Sequence, residues 1–132
     1  MELIEFAKKA IEIPVRFIDR GRSFHGWDCW GLIFMAFKLV YGIELDSLNY
    51  NSCFSKEAVK DFEMESKNYK EIKLGFEKPG DIVVFRPCHV ALIIGNNDML
   101  HVQPGYFTCI DSYRKGNWEP RIIGIYRHAK FG

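Results

Sequence analysis

The segment CWGLIFMAFKLVY, residues 29–41, is apolar at almost every position and constrains the fold more than any other stretch of the chain. It is too long for a typical strand and shows no alternation of apolar and polar residues, which predicts a helix. Gly42 follows directly and is the residue type that most often ends helices. Because a helix that is apolar all round must be covered on several sides, we expect it to lie at the centre of the fold.

The second half of the chain is rich in short β-branched and aromatic runs, each bounded by Gly, Pro, Asn or Asp. This pattern is typical of strands joined by turns. The runs are DIVVFR, HVALIIG, MLHVQ, FTCIDSY and RIIGIYR. The segment GNND at 95–98 indicates a hairpin. Helices first and an antiparallel sheet second predict an α+β domain.

Two further helices are predicted before the sheet. Residues 2–11 have helix-like apolar spacing that Pro14 limits. The stretch from Ser55 to about Lys70 forms an exposed amphipathic pattern, with Ser55 as its N-cap.

The chain has 132 residues, which is the size of one domain, so we expect residues 1–132 to form a single domain.

Charge and composition argue against several classes of protein. The net charge of +1, from 18 basic and 17 acidic residues, provides no basic footprint for nucleic acid or for an anionic membrane surface. No run approaches the roughly 18 apolar residues of a membrane span, and the N-terminal segment lacks the basic region of a signal peptide. We therefore expect cytoplasmic synthesis and free thiols at all four cysteines, which are Cys29, Cys53, Cys88 and Cys109.

Cys29 stands at the beginning of the apolar helix, directly after Asp28. In a first helical turn, the unpaired backbone N–H groups and the positive end of the dipole favour an anion. Such settings lower a thiol pKa from about 8.5 to between about 3.5 and 7.5, which favours the nucleophilic thiolate. Gly26 and Gly31 would leave room nearby for a substrate backbone. The alternative is a structural cysteine, the more common role of a lone Cys in an apolar helix.

A thiolate nucleophile needs a base, and His89 and His101 lie on the two strands of the predicted hairpin. With a three-residue GNN connection, Ile94 pairs with Asp98 and His101 lies opposite Ala91. The two imidazoles then share one face and can meet, whereas a four-residue loop places them on opposite faces. The histidine pair therefore predicts a three-residue connection or a bulge.

A zinc site is an alternative use of Cys88, His89, His101 and Cys109. Cys88 and His89 are adjacent, however, so within a strand their side chains point to opposite faces. The sequence also contains no C-x-x-C or H-x-x-x-H pair, the spacing that is most typical of zinc sites. We therefore expect no metal, and we interpret Cys109 as a residue of the strand core.

Three segments, in a fixed order, resemble the NlpC/P60 family of cysteine peptidases. They are GWDCWGLIFMAFKLVYGIEL, KPGDIVVFR and HVALIIGNNDMLHVQ. The resemblance covers roughly residues 12–104, and the Asp-Cys-Trp-Gly-Leu form is most similar to the phage and prophage tail-associated branch. It implies a papain-like α+β fold in which N-terminal helices precede the sheet and the cysteine helix packs on an antiparallel sheet.

The resemblance also implies a site and a reaction. The family's catalytic cysteine falls on Cys29, its catalytic histidine on His89 and its third polar residue on His101. Family members mostly cleave amide bonds in bacterial cell-wall peptides, so the implied substrate is a peptidoglycan stem peptide and no cofactor is needed. The backbone N–H of Cys29 is expected to hold the developing oxyanion.

The chain departs from the family pattern at two positions. Phe17 stands where many members carry a tyrosine whose hydroxyl assists at the oxyanion, and Trp30 replaces a common serine and narrows the site. Together with Asp28 and Trp27, these residues form the predicted substrate-binding set. These residues also have alternative roles. Asp28 is also suited to cap a helix, and aromatic residues in a domain of this size are more often core residues. Segment 48–76 has no assigned counterpart and is interpreted as a lid or an insertion.

Functions of two other classes remain open. The domain is alternatively a structural or assembly component of a phage-like tail, with phage tail proteins as partners and little turnover. A third possibility is a thiol amidase or acyltransferase on a non-wall substrate, because an amine as well as water can attack the thioester of an acyl-enzyme. Association with a virion is compatible with cytoplasmic synthesis.

Overall fold

The computed structural model describes residues 1–47 and 68–131. Within these ranges, two α-helices precede a six-stranded antiparallel sheet, so the α+β prediction is confirmed. The helices are α1 (Leu3–Glu12) and α2 (Cys29–Ala36). A small ribbon of β1 (Arg22–Ser23) and β2 (Gly26–Trp27) lies between them in the chain. The sheet contains β3 (Tyr69–Ile72), β4 (Ile82–Phe85), β5 (His89–Gly95), β6 (Asp98–His101), β7 (Cys109–Ser112) and β8 (Ile122–His128).

The sheet has the strand order β3-β8-β4-β5-β6-β7, which places the hairpin of β5 and β6 beside the edge strand β7. One face packs against α1 and α2 and forms a core with Val90, Leu92 and Leu100. Alternate residues face the other way and form a second cluster, which includes Phe85, Ala91 and other apolar residues. Burial on both faces explains why the sequences of the central strands are almost continuously apolar.

Helix α2 begins at Cys29 because Asp28 caps it. The Asp28 carboxylate accepts hydrogen bonds from the backbone N–H of Gly31 at 2.7 Å and from that of Arg20 at 2.9 Å. The helix continues as a π-helical turn over Phe37–Tyr41 and ends at Gly42, whose φ of 66° is in the left-handed region. The central helix predicted over residues 29–41 and its glycine end are therefore confirmed.

The other helix predictions have mixed outcomes. The helix predicted for residues 2–11 is α1, displaced by one residue. Most of the helix predicted from Ser55 to about Lys70 lies outside the described residues. Its C-terminal end is wrong, because Tyr69 and Lys70 belong to β3 and pair with β8. Neither helix in the described ranges is long and apolar enough to cross a bilayer.

The turn between β5 and β6 sets the register of the two histidines. Asn96 and Asn97 form a two-residue connection, with φ of 53° and 65°, and Gly95 pairs with Asp98. Ile94 is the extra residue of a bulge, so its predicted pairing with Asp98 is wrong by one position. The predicted bulge itself is confirmed. Beyond it, Leu92 pairs with Leu100, and the same register carried one residue further sets Ala91 opposite His101.

Replacement of Asp28 by alanine is expected to lower the free energy of unfolding by about 3 kcal/mol. The change removes a helix cap and the ion pair of 3.1 Å between Arg22 and the fully buried carboxylate. The matched control is Asp19→Ala, which breaks an exposed pair with Arg20 and should cost less than about 0.5 kcal/mol. Urea denaturation of both variants measures the difference. Equal midpoints for the two variants would contradict the prediction.

Candidate active site

The two histidines predicted to meet are in direct contact. Nε2 of His89 lies 3.0 Å from Nδ1 of His101, and the ring planes are inclined at 71°. His89 is the first residue of β5 and His101 is the last residue of β6, so the bulged hairpin holds both rings. His101 is fully buried, whereas His89 retains 7% of its surface.

Asp111 adds a third side chain to this contact. Its Oδ2 lies 2.8 Å from Nε2 of His101, and its side chain is 49% exposed. Asp111 is on β7, two residues after Cys109, which is the register partner of His101. Asp111 was not predicted as a site residue, because only the pairing of β6 with β7 brings it to His101. The one signal in the sequence was an acid in the run FTCIDSY at a position that shares its strand face with Cys109.

The chain of contacts determines where the ring protons lie. A carboxylate only accepts hydrogen bonds, so Nε2 of His101 carries a proton and donates a hydrogen bond to Asp111. In the neutral ring, Nδ1 of His101 then holds a lone pair and accepts the hydrogen bond that Nε2–H of His89 donates. The remaining ring nitrogen of His89, Nδ1, therefore carries a lone pair and is the basic atom of the pair.

Burial keeps both imidazoles neutral. It lowers the pKa of His89 to about 3, and the nearby His101 and Arg121 add smaller effects in the same direction. Burial also lowers the pKa of His101, although the hydrogen bond and the charge of Asp111 act against it. Near neutral pH, His89 is consequently in the form that can accept a proton.

Trp118 covers the histidine pair. Its ring centroid lies 5.4 Å from that of His89 and 5.1 Å from that of His101, and the guanidinium of Arg121 lies 4.8 Å above the indole. Phe85 contacts both His89 and Trp118. These rings shield the hydrogen bond between the imidazoles from water, which strengthens it.

Cys29 lies in the first turn of α2, the helix that packs against β5. It belongs to the same core as Val90, the residue after His89, and retains 3% of its surface. Cys29 and His89 are thus carried by two packed elements, and access to this region is narrow. Cys29, Cys88 and Cys109 are free thiols as predicted, while Cys53 lies outside the described residues.

Three residues of the predicted substrate-binding set have no exposed surface: Trp27, Asp28 and Trp30. The Trp27 indole donates a hydrogen bond to Thr108 Oγ1 at 2.9 Å, and the Trp30 indole donates to the backbone oxygen of Asp46 at 2.9 Å. None of these three side chains offers surface to a substrate in this structure, and their role as substrate contacts stays a prediction. They are core residues with satisfied polar groups, and Asp28 is the helix cap that the alternative interpretation proposed.

The fourth predicted substrate residue, Phe17, is half-buried and packs against the core. Its backbone N–H donates to the carbonyl oxygen of Tyr106 at 3.0 Å. The expectation that Gly26 and Gly31 leave room for a substrate is wrong. A Cβ on Gly31 would lie 2.2 Å from the carbonyl oxygen of Gly21, and one on Gly26 would meet the Ile18 side chain, so the protein's own packing requires these glycines.

Cys109 is exposed, so its assignment to the strand core is wrong. Its Sγ lies 3.6 Å from Nε2 of His101 and 3.7 Å from Oδ2 of Asp111. Partial burial of the sulfur and the Asp111 carboxylate raise the pKa of this thiol to about 11. The zinc set weighed from the sequence does not assemble. In the part of the chain that the structure describes, His101, Cys109 and Asp111 come together instead.

Acid is expected to destabilise the protein through His89. The ring has a pKa of about 6.5 when unfolded and about 3 when folded, so the unfolded chain binds more protons between these values. The stability contribution of the neutral ring is complete above pH 6.5 and is lost as the pH falls, by about 2 kcal/mol at pH 5. Urea melts of wild type and His89→Gln should show a weaker pH dependence in the variant. His25→Gln, at an exposed histidine, is the control that should retain the wild-type dependence.

Comparison with known proteins identifies relatives of this chain. The chain is 26% identical over 111 residues to the murein DD-endopeptidase and LD-carboxypeptidase MepS of Escherichia coli, an alignment covering 81% of this chain and 52% of MepS. The chain thus spans about half the length of the curated relatives it matches.

Solved structures share the fold at low identity. The NlpC/p60 domain of the peptidoglycan hydrolase SagA has a TM-score of 0.67 at 18% identity, covering 96% of this chain and 99% of that domain. RipD of Mycobacterium tuberculosis, a non-catalytic NlpC/p60 domain protein adapted to peptidoglycan binding, has a TM-score of 0.58 at 18% identity and covers 98% of each chain. The family model for NlpC/P60 matches residues 15–127, so the chain belongs to the NlpC/P60 family.

Proposed function

We propose that this protein is a cysteine-dependent hydrolase that cleaves amide bonds in peptidoglycan stem peptides. Membership of the NlpC/P60 family and the similarity to a murein endopeptidase support this function. The observation that carries it is the chain His89–His101–Asp111, because it leaves a lone pair on Nδ1 of a neutral, buried His89. That atom is the base that a nucleophilic Cys29 requires.

In the first step, Nδ1 of His89 takes the thiol proton of Cys29, and Sγ attacks the scissile carbonyl carbon. The developing oxyanion lies at the N-terminal end of α2, where the backbone N–H of Cys29 and the helix dipole stabilise negative charge. The His89 imidazolium keeps its Nε2–H bond to His101. The carboxylate of Asp111 at the far end of the chain partly offsets the new positive charge.

In the second step, the imidazolium donates its Nδ1 proton to the leaving amine, the amide bond breaks, and an acyl-enzyme remains on Cys29. His89 then takes a proton from a water molecule that attacks the thioester. Collapse of this intermediate releases the carboxylic acid and returns the proton to sulfur. His101 and Asp111 act as positioning residues throughout, since they orient His89 without touching the substrate.

Asp111→Ala is expected to lower kcat about 10- to 100-fold with a smaller change in KM, by analogy with the loss of a carboxylate that orients a metal-bound histidine. Without the carboxylate, Nε2 of His101 loses its acceptor and the tautomer of the histidine pair is no longer specified. Asp111→Asn retains an acceptor oxygen and should recover part of the loss. Asp98→Asn, at another acid of the same sheet, is the control. Equal kcat for Asp111→Ala and wild type, both assayed with EDTA, would contradict the positioning role.

A panel of purified muropeptides tests the function itself. The protein should release new free amines from at least one wall peptide, and mass spectrometry of the products identifies the cleaved bond. A nucleophilic amine added as acceptor distinguishes the acyltransferase alternative, which would yield acylated amine in place of free acid. Absence of both products across the panel would contradict activity on wall peptides, whether hydrolysis or acyl transfer.

A non-catalytic wall-binding or assembly domain is the second candidate. Two observations favour it: Cys29 retains only 3% of its surface, and RipD shares the fold without catalysis. The form of the Asp-Cys-Trp-Gly-Leu motif further supports a proposed association with a phage-like tail, whether the protein is hydrolytic or not. Co-sedimentation with sacculi that releases no amine, at any protein concentration, would support the binding domain over the enzyme.

A further inference from the structure

The edge of the sheet beside the histidine pair carries three metal-ligating atoms. Nε2 of His101, Sγ of Cys109 and Oδ2 of Asp111 all lie within 4.8 Å of one another. Imidazole, thiolate and carboxylate are the three ligand types that proteins use for zinc. The function proposed above gives Cys109 no part, although its sulfur lies 3.6 Å from Nε2 of His101, the nitrogen that contacts Asp111.

The spacing of the three atoms matches one face of a tetrahedral site. Bonds of about 2.3 Å to sulfur and about 2.0 Å to nitrogen and oxygen place tetrahedral ligands about 3.3 to 3.6 Å apart. The sulfur lies 3.6 Å from the His101 nitrogen and 3.7 Å from the Asp111 oxygen. The nitrogen and oxygen lie 2.8 Å apart and are joined by the hydrogen bond that a metal would replace, so they must separate by about 0.5 Å.

The backbone holds this arrangement in place. His101 and Cys109 are register partners on β6 and β7, and Asp111 follows two residues later, on the same face of the strand. Cys109 is exposed and the Asp111 side chain is 49% exposed, so an ion can reach the site from solvent and a water can complete its coordination. The zinc ligands considered from the sequence included Cys88 and His89, which are adjacent and point to opposite faces of a strand. The three residues here contain no adjacent pair.

The geometry points to a regulatory site for a divalent zinc-type cation at His101, Cys109 and Asp111 that switches the histidine pair into an inactive tautomer. A metal takes the Nε2 lone pair of His101, so the remaining ring proton must lie on Nδ1. That proton points at Nε2 of His89, which must now accept a hydrogen bond and not donate one. The proton of His89 consequently lies on Nδ1, and the basic lone pair is lost.

The protons balance in this switch. Nε2 of His101 gives its proton to solvent, and the proton on Nε2 of His89 crosses the hydrogen bond to Nδ1 of His101. Nδ1 of His89 takes a proton from solvent, so both rings stay neutral. The thiol of Cys109 releases its proton to solvent as sulfur binds the metal. The inhibitory part of this inference rests on the proposed function, whereas the binding part does not.

Zinc binding is tested on the Cys29→Ala variant, which removes the nucleophilic sulfur as a competing ligand. Isothermal titration with zinc chloride should give one site per chain, and adding Cys109→Ala should weaken its affinity at least 10-fold. Cys88→Ala on the same background is the matched thiol control and should leave the affinity unchanged. Equal zinc affinity with and without Cys109, or no binding at micromolar zinc, would overturn the site.

The tautomer switch is read by nitrogen NMR of the histidine rings in the same variant. Zinc should move the proton of His89 from Nε2 to Nδ1, and this movement should be absent when Cys109 is also replaced. An unchanged His89 tautomer in the zinc-bound protein would overturn the switch.

The effect on activity is measured with active chains, each compared with its own rate in EDTA. Zinc should inhibit wild type at least 10-fold, and Cys109→Ala should be markedly less sensitive; equal sensitivity would overturn the inhibition. If the metal-free chain hydrolyses no wall peptide, the proposed function fails while the titration and NMR results still decide the site.

Discussion

Cys29→Ala is expected to abolish hydrolysis of wall peptides, with kcat reduced by at least about 10⁴-fold. Removal of the nucleophile from a covalent mechanism leaves only substrate binding and oxyanion stabilisation, which sustain a small residual rate. Amine release from the muropeptide that wild type cleaves fastest is the measurement. A variant with more than a tenth of the wild-type rate would show that Cys29 is not the nucleophile.

The control for this experiment is Cys88→Ala, which removes a half-buried free thiol directly beside His89 and should keep most of the activity. Because Cys29 is part of the core, the melting temperature of Cys29→Ala must also be compared with that of wild type. A folded, inactive Cys29→Ala chain separates loss of chemistry from loss of structure. Alkylation by iodoacetamide adds a direct readout, because Cys29 should react well below pH 8, whereas the raised pKa of Cys109 should keep that thiol slow.

His89→Gln is expected to lower kcat by about 10²- to 10⁴-fold, the usual contribution of a positioned general acid and base. The amide can occupy the place of the imidazole beside His101 but cannot carry a proton between sulfur, leaving amine and water. The rate of acyl-enzyme formation, measured in a single turnover, should fall together with kcat. A normal single-turnover rate in His89→Gln would show that another group activates Cys29.

His25→Gln is the matched histidine control, because His25 is exposed and precedes α2 in the chain without belonging to the contacts around His89. Its kcat should stay within about twofold of wild type, as expected for an exposed side chain outside the reacting groups. A similar loss in both histidine variants would indicate a general effect on the fold, and circular dichroism of each variant would detect it.

The features that the sequence predicted correctly depend on neighbours in the chain. An apolar run after Asp28 is sufficient to predict a capped helix with Cys29 in its first turn, since the cap and the helix are local. The pair His89 and His101 could also be placed, because two strands joined by a short turn have few possible registers. The exact pairing was wrong by one residue, yet the bulge that brings the rings together was predicted from the need for both to share a face.

The features that the sequence left open concern residues whose environment is made by distant segments. Nothing in the sequence shows whether Trp27 and Trp30 are core residues or groove residues. Their indole nitrogens have hydrogen-bond partners only in the folded structure, where Thr108 and the backbone of Asp46 lie beside them. Trp118 comes to cover the histidines because the chain after β7 folds back over that face of the sheet.

By itself, the sequence determined the order of helices and strands, the family, and the positions of Cys29, His89 and His101, because helix caps, turns and side-chain alternation act over a few residues. Only the tertiary structure decided that Asp111 orients His101 and that Cys109 lies exposed beside both. These contacts depend on the register in which the edge strand β7 pairs with β6, across a connection whose length does not specify it. A one-residue shift in that register would turn Cys109 and Asp111 to the opposite face, and the chain of contacts to His89 would end at His101.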